Sequence, residues 1–252
     1  MRALLSILLW TAGGLVFLLV VLVVAVGILT LGRDGTYPLM RGGLRILTTI
    51  MGLPVIVSGK HHIPRDRPVI FMGNHESLFD VFAIPVGIPK PFVGVEAAEH
   101  FSWPAWGWIV RRWGNIPIPR ENLQAAKQSL EIARRRITEE DVSIGILPEG
   151  TRTLTGEIGE FKKGPFHLAL AAGADIVPFA MDGLYRYKSK HSWILHPTLC
   201  RIRFGPPIRF STFSGQNVEM VRDLVRERII GLKLSIVPEG NQATQSSSKT
   251  VR

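Results

Sequence analysis

The sequence predicts an α/β fold: a layered, largely parallel central sheet flanked by helices and preceded by an N-terminal membrane helix. Three observations carry this. Short β-rich runs alternate with helical patterns from residue 54 onward, an uncharged apolar run covers residues 3–32, and the chemically capable polar residues cluster just after strand runs. Strands that alternate with helices pack as parallel layers, because each crossover returns the chain to the same end of the sheet.

Residues 3–32 read ALLSILLWTAGGLVFLLVVLVVAVGILTLG. A spanning helix needs roughly 20 apolar residues, so this run is ample. It also exceeds the apolar core of a cleaved signal peptide, about 7–15 residues. The pattern leaves open whether it crosses the bilayer or re-enters around Gly13–Gly14. Arg33, Arg41 and Arg45 follow the run and only Arg2 precedes it. Cations collect on the inner face, so the rest of the chain is expected on the cytoplasmic side of the cell membrane. Over 38–53, Met40, Leu44, Leu47 and Met51 recur at helical spacing. Such an amphipathic helix either lies in the headgroup plane or docks on the domain core. The expected organisation is thus a membrane part at 1–53, an α/β domain at 54–240, and a disordered polar tail at 241–252.

Within the domain the strand runs are 55–59, 69–73, 91–95, 116–119, 143–147, 176–181 and 200–204. Helical patterns lie near 79–87, 103–113, 122–139, 163–173 and 217–235. The last carries Val218, Val221, Val225, Ile229 and Leu232 along one face. Ligands bind beyond the carboxyl ends of the strands in open α/β sheets. That rule selects NHESLFD (74–80), PRE (119–121), PEGTR (148–152) and the segment after IVPF.

Lys and Arg outnumber Asp and Glu by 30 to 20, a net charge of +10 that favours anionic partners. Nucleic acid is not expected, since no helix-turn-helix or aromatic–basic array accompanies the charge. Cys200 is the only cysteine, which excludes an intrachain disulfide. His61–His62 have no Cys or third His at zinc-type spacing, so no metal is expected.

Four motifs can carry chemistry. In a continuous helix His75 and Asp80, five residues apart, would lie about 140° apart and could not pair. With a turn before a helix that starts near Ser77, Asp80 can orient the imidazole as a base. The same residues also read as a helix cap, Ser77 to Asp80. Leu147–Arg152 ends a strand with a carboxylate, exposed amides and a guanidinium suited to phosphate, although PEGT is also a good turn. Arg120 follows a short strand, and Lys162–Lys163 precede a helix where they could face phosphate or an anionic membrane. Both also read as solvated surface charge.

In combination these blocks resemble the glycerophospholipid acyltransferase family, in particular lysophosphatidic acid acyltransferases. NHESLFD is similar to the family's N-H-x-x-x-x-D block, GNIPIPR to its second, LPEGTR to its third and IVPFAM to its fourth; FKKGPFHLAL resembles the stretch after the third. The resemblance covers roughly residues 55–210. It implies that His75 and Asp80 deprotonate the acceptor hydroxyl. It implies too that Arg120 and Arg152 bind the glycerol phosphate, with Glu149, Gly150 and Thr151 shaping that pocket. The expected donor is an acyl-CoA or acyl carrier protein thioester, and the expected partners are lysophosphatidic acid and a lipid bilayer, with no cofactor. One stretch departs: Val95-Glu96-Ala97-Ala98-Glu99-His100 stands where many members are basic. Acceptors such as glycerol 3-phosphate, another lysophospholipid or an acylated amino-acid lipid therefore stay open. A non-catalytic anionic-lipid binder would not need the His75–Asp80 pair. Ser77 is not expected to act as nucleophile, because no G-x-S-x-G elbow surrounds it.

Overall fold

A computed structural model describes residues 1–104, 106–119 and 122–236. The expected tail at 241–252 lies outside the described residues. The chain begins with α1 (Arg2–Ile50), broken at Gly32, whose φ of 68° and ψ of −179° only glycine adopts readily. The break divides α1 into arms 2–31 and 33–50. They lie antiparallel: Gly27 faces Thr36, Gly43 faces Val20 and Gly13 faces Met51. A Cβ at Gly13 would come within 2.5 Å of Met51 Sδ, so the small residue sets how closely the arms approach.

This hairpin shifts one boundary and decides between two alternatives the sequence left open. The amphipathic segment expected at 38–53 belongs to the second arm, which starts earlier, and its Leu44, Leu47 and Met51 are buried. It docks on the domain: Tyr37 Oη donates to Ile88 O at 3.0 Å and Arg41 reaches Pro85 O and Val86 O. The second arm runs back along the first, and the break between them falls at Gly32 and not around Gly13–Gly14. α1 is long and apolar enough to cross a membrane, and only 11% of its most apolar window is buried. A soluble core helix would be mostly covered; this exposed apolar surface matches the interior of a bilayer.

Then follow β1 (Val55–Ser58), β2 (Ile70–Gly73), α2 (Asp80–Gly87), β3 (Phe92–Ala97), α3 (Trp106–Trp113), β4 (Ile116–Ile118) and α4 (Leu123–Thr138). The remainder is β5 (Ser143–Ile146), α5 (Gly164–Ala172), β6 (Ile176–Asp182), α6 (Leu184–Tyr187), β7 (Cys200–Phe204), α7 (Phe210–Phe213) and α8 (Val218–Ile236). The seven strands form one sheet in the order β1-β7-β6-β2-β5-β3-β4. Five strands, β6 through β4, run parallel; β7 is antiparallel to β6 and parallel to β1. Every residue of β2 and β6 is buried, so both faces of these strands are covered and the runs VIFMG and IVPFAM lack alternation.

Candidate active site

β2 lies between β5 and β6, and all three run the same way, so the loops at their carboxyl ends meet. Asn74 ties the first of these loops to the third. Its Oδ1 accepts from Met181 N at 2.7 Å and its Nδ2 donates to Met181 O at 3.0 Å. The chain then turns before α2 begins, at Asp80 rather than near Ser77. The Asp80 carboxylate folds back over the turn: Oδ1 accepts from Ser77 N at 3.0 Å and Oδ2 from Glu76 N at 2.8 Å. Oδ2 also meets His75 Nδ1 at 2.6 Å. With Nδ1–H donating to Asp80, the imidazole keeps its Nε2 lone pair free for a proton. The His75 side chain is 19% exposed and that of Asp80 only 2%, so a substrate can reach the ring but not the carboxylate.

Ser77 does not cap α2. Its hydroxyl donates to Lys188 O at 2.8 Å, and the capping-box geometry survives only as the return bond from Asp80 to Ser77 N. Glu149 is equally committed. Its buried carboxylate accepts His75 N at 2.7 Å and Gly159 N at 2.9 Å, clamping the His75–Asp80 turn to the loop after β5. Burial pushes this carboxyl above its ordinary range, while the two amide donors and His75 pull it back. Thr153 N completes the clamp by donating to His75 O at 2.9 Å.

Arg152 is half-buried, Thr151 is exposed, and Gly150 turns the chain with a φ of 67°. The segment after α6 brings two more cations to them. Lys190 Nζ donates to Thr151 Oγ1 at 3.4 Å, and burial followed by repulsion from Arg152 holds the Lys188 ammonium below its usual range. Among the described residues none of Arg152, Lys188 and Lys190 has a carboxylate partner. Lys162 flanks Gly150, whereas Lys163 turns away into an ion pair with Glu219 on α8. Arg120 lies outside the described residues.

The departing stretch places Glu96 near the end of β3. Burial raises its carboxyl to about 7, against hydrogen bonds from the Asn115 and Trp106 side chains that lower it. Its Oε1 is buried with no hydrogen-bond partner among the described residues.

Sequence reasoning missed Thr153, Lys188, Lys190 and Lys233, and gave Asn74 and Glu76 no role of their own within the NHESLFD block. Glu76 is buried, with Oε1 accepting from Lys233 Nζ at 2.7 Å and Oε2 from Tyr185 N at 3.1 Å. Burial raises its carboxyl, and the Lys233 ammonium pulls it back. A signal existed for Lys233: it continues the buried stripe Val221, Val225, Ile229 at the same four-residue step.

Aromatic rings join this site to the hairpin. Trp10 and Phe79 lie 5.7 Å apart, as do Phe17 and Phe82, and Phe79 packs on Tyr187 at 4.8 Å. Two hydrogen bonds lock the same corner, from Trp10 Nε1 to Trp193 O and from Leu195 N to Ser6 Oγ. The His75–Asp80 turn therefore adjoins the apolar arms.

An acyltransferase family model matches residues 54–182, which hold the His75–Asp80 turn and the loop after β5. The chain is 34% identical to a 1-acyl-sn-glycerol-3-phosphate acyltransferase of Limnanthes douglasii, over 73% of its own length and 63% of the relative's. It thus spans less than two thirds of that plant relative. A 1-acyl-sn-glycerol-3-phosphate acyltransferase of Haemophilus influenzae is 30% identical, over 77% of this chain and 82% of the relative. In architecture the chain is similar to the crystal structure of the 1-acyl-sn-glycerophosphate acyltransferase of Thermotoga maritima. The TM-score is 0.81 at 23% identity, covering 92% of this chain and 96% of the other, which establishes the likeness of fold.

Proposed function

From the premise that this chain belongs to the acyltransferase family, we propose that it transfers a fatty acyl group to the free hydroxyl of 1-acyl-glycerol 3-phosphate, making phosphatidic acid. The observation that carries this is the His75–Asp80 contact of 2.6 Å, with the imidazole open to substrate and, nearby, cations without a carboxylate partner among the described residues. His75 Nε2 takes the hydroxyl proton as the oxygen attacks the thioester carbonyl. Asp80 keeps the proton on Nδ1 and stabilises the imidazolium that forms. Collapse of the tetrahedral intermediate expels a thiolate, which takes the proton back from His75. The products are the acylated lipid and the free thiol. The donor is an acyl-CoA or acyl carrier protein thioester; being already activated, it calls for no metal or organic cofactor.

Arg152, with Lys188 and Lys190, holds the acceptor phosphate through charge-assisted hydrogen bonds. Arg120 joins them by the family resemblance. The hairpin rests in the bilayer of the cell membrane with the α/β domain on the cytoplasmic side, so that a lipid acceptor reaches the turn without leaving the membrane. The test is acyl transfer by membranes carrying the protein, with labelled acyl-CoA and acyl carrier protein donors against a panel of lysolipids. Lysophosphatidic acid should be the preferred acceptor, and His75→Ala should lower turnover about 10²–10⁴-fold. Folded, membrane-bound His75→Ala protein with unchanged turnover would overturn the reading.

A further inference from the structure

We propose that Lys233 is a positioning residue for the catalytic turn, so that the working acyltransferase unit extends to the last helix, well past the matched segment. That segment ends at residue 182, whereas Lys233 stands near the end of α8.

Four features support the assignment. Lys233 lies on the buried face of α8, where Val221, Val225 and Ile229 pack fully covered against the sheet, and it is itself only 9% exposed. A lysine in such a row is held in place by partners or not at all, because a buried ammonium without them is far costlier than the methylenes it replaces. The partners belong to two different parts of the site. One is Glu76 Oε1 at 2.7 Å, in the turn between His75 and Asp80; the other is the main-chain oxygen of Gly156 at 2.6 Å, beyond the loop after β5.

Glu76 passes the restraint on. Its main-chain N–H donates to Asp80 Oδ2, the same oxygen that meets His75 Nδ1. Its carboxylate also accepts from Asn74 Nδ2 at 3.2 Å and from Tyr185 N at 3.1 Å. One ammonium therefore fixes the turn that sets the imidazole and ties it to the loop that carries Arg152. Gly156 N is in turn held by Thr153 Oγ1 at 3.0 Å, and Thr153 N donates to His75 O, which closes the circuit around the base. Lys233 touches no reacting atom, so its effect should fall on turnover and not on substrate affinity.

This assignment rests on His75 as the base, and the experiment separates the two ideas. Lys233→Met, Lys233→Arg and the double variant Glu76→Gln/Lys233→Met are prepared in the full chain, in detergent and in vesicles. Amide hydrogen exchange over residues 74–80 reads the order of the turn without any turnover. It should quicken about tenfold in Lys233→Met, while the β2 strand stays protected. In acyl-transfer assays kcat should fall about 10- to 100-fold with both KM values nearly unchanged. Lys233→Arg, which keeps two donors, should recover most of kcat. Where Lys233→Met does not fold, the double variant carries the test, since it leaves no unpaired buried charge; it too should show the lowered kcat. Unchanged exchange at 74–80, or wild-type kcat in either folded variant that lacks a cation at 233, overturns the assignment. Wild-type protein with no acyl transfer, combined with quickened exchange in Lys233→Met, would strike the functional reading alone.

Discussion

The main-chain N–H of His75 donates to Oε1 of Glu149 at 2.7 Å, so the carboxylate of the third block holds the backbone of the first. With Oε2 accepting from Gly159 N, both oxygens brace the backbone, which favours a positioning role over direct contact with an acceptor hydroxyl. Glu149→Ala should therefore lower kcat and leave the acceptor KM within about twofold. Two amides lose their acceptor in part-buried hydrogen bonds, at about 1 kcal/mol each. Glu149→Gln should be nearly as damaging, because an amide offers one acceptor oxygen where two are used. Steady-state kinetics with lysophosphatidic acid decide the point: a large rise in KM at constant kcat would return Glu149 to direct substrate binding.

Ser77 is spoken for as well. Its hydroxyl donates to Lys188 O and is not aimed at His75 as a nucleophile would be. Ser77→Ala should keep turnover within about tenfold, since one neutral hydrogen bond is lost, worth about 1 kcal/mol. Mass spectrometry of protein quenched during turnover should find no acyl group on Ser77. A trapped acyl-serine there would replace direct transfer with a two-step route.

Lys188 and Lys190 gather beside Thr151 and Arg152 without carboxylate partners among the described residues. Lys188→Gln/Lys190→Gln should raise the KM for lysophosphatidic acid by about tenfold or more, given about 1.5–3 kcal/mol for a charged hydrogen bond. A neutral monoacylglycerol acceptor should feel no such change. Equal effects on both acceptors would remove these lysines from the phosphate site.

Much of this was legible in the chain and some was not, for physical reasons. The central strand runs were visible because parallel strands covered on both faces need uninterrupted β-branched and aromatic residues, as in VIFMG and IVPFAM, whereas CRIRF alternates buried with more exposed residues. The pairing of His75 with Asp80 could be reasoned from helical geometry, since five residues cannot pair without a turn. That Asp80 would also brace Glu76 N and Ser77 N could not, because a backbone donor has no sequence. The hairpin was hidden for a related reason: Gly32 is one of many glycines, and only the packing of Gly13, Gly27 and Gly43 against the other arm reveals its role. Lys188 and Lys190 join the site by a long-range fold of the segment after α6, with no local pattern to mark them. Lys233 did leave a mark, as the one charge in an apolar stripe.

Glu96 makes stability depend on pH. Its carboxyl lies at about 7 in the folded chain against an ordinary 4.5, so folding takes up a proton between those values. Stability from this group is intact below about pH 4.5, falls as the pH rises through the window, and has lost about 3 kcal/mol above it. Glu96→Gln removes the titrating group and keeps an oxygen for the Asn115 and Trp106 donors. Its melting temperature in detergent should exceed that of the wild type at pH 8 and match it near pH 4.5. A constant difference across that range would show that Glu96 does not titrate there.

The hairpin makes a topological prediction. Contacts of Gly27 with Thr36, Gly43 with Val20 and Gly13 with Met51 bring Gly13 level with the end of the second arm, and the first residues of α1 continue past it on the same side. Trp10 and Ser6 near the start bind Trp193 and the Leu195 amide, so that end lies against the α/β domain. A single spanning helix would instead carry the first residues to the opposite face, away from those partners. The native Cys200 is buried, which leaves the thiol background low. Arg2→Cys and Lys60→Cys should therefore react with a membrane-impermeant maleimide from the same side of sealed vesicles. Two-sided labelling, with Arg2→Cys reached only from the face opposite Lys60→Cys, would dismantle the hairpin and with it the route by which a bilayer lipid meets His75.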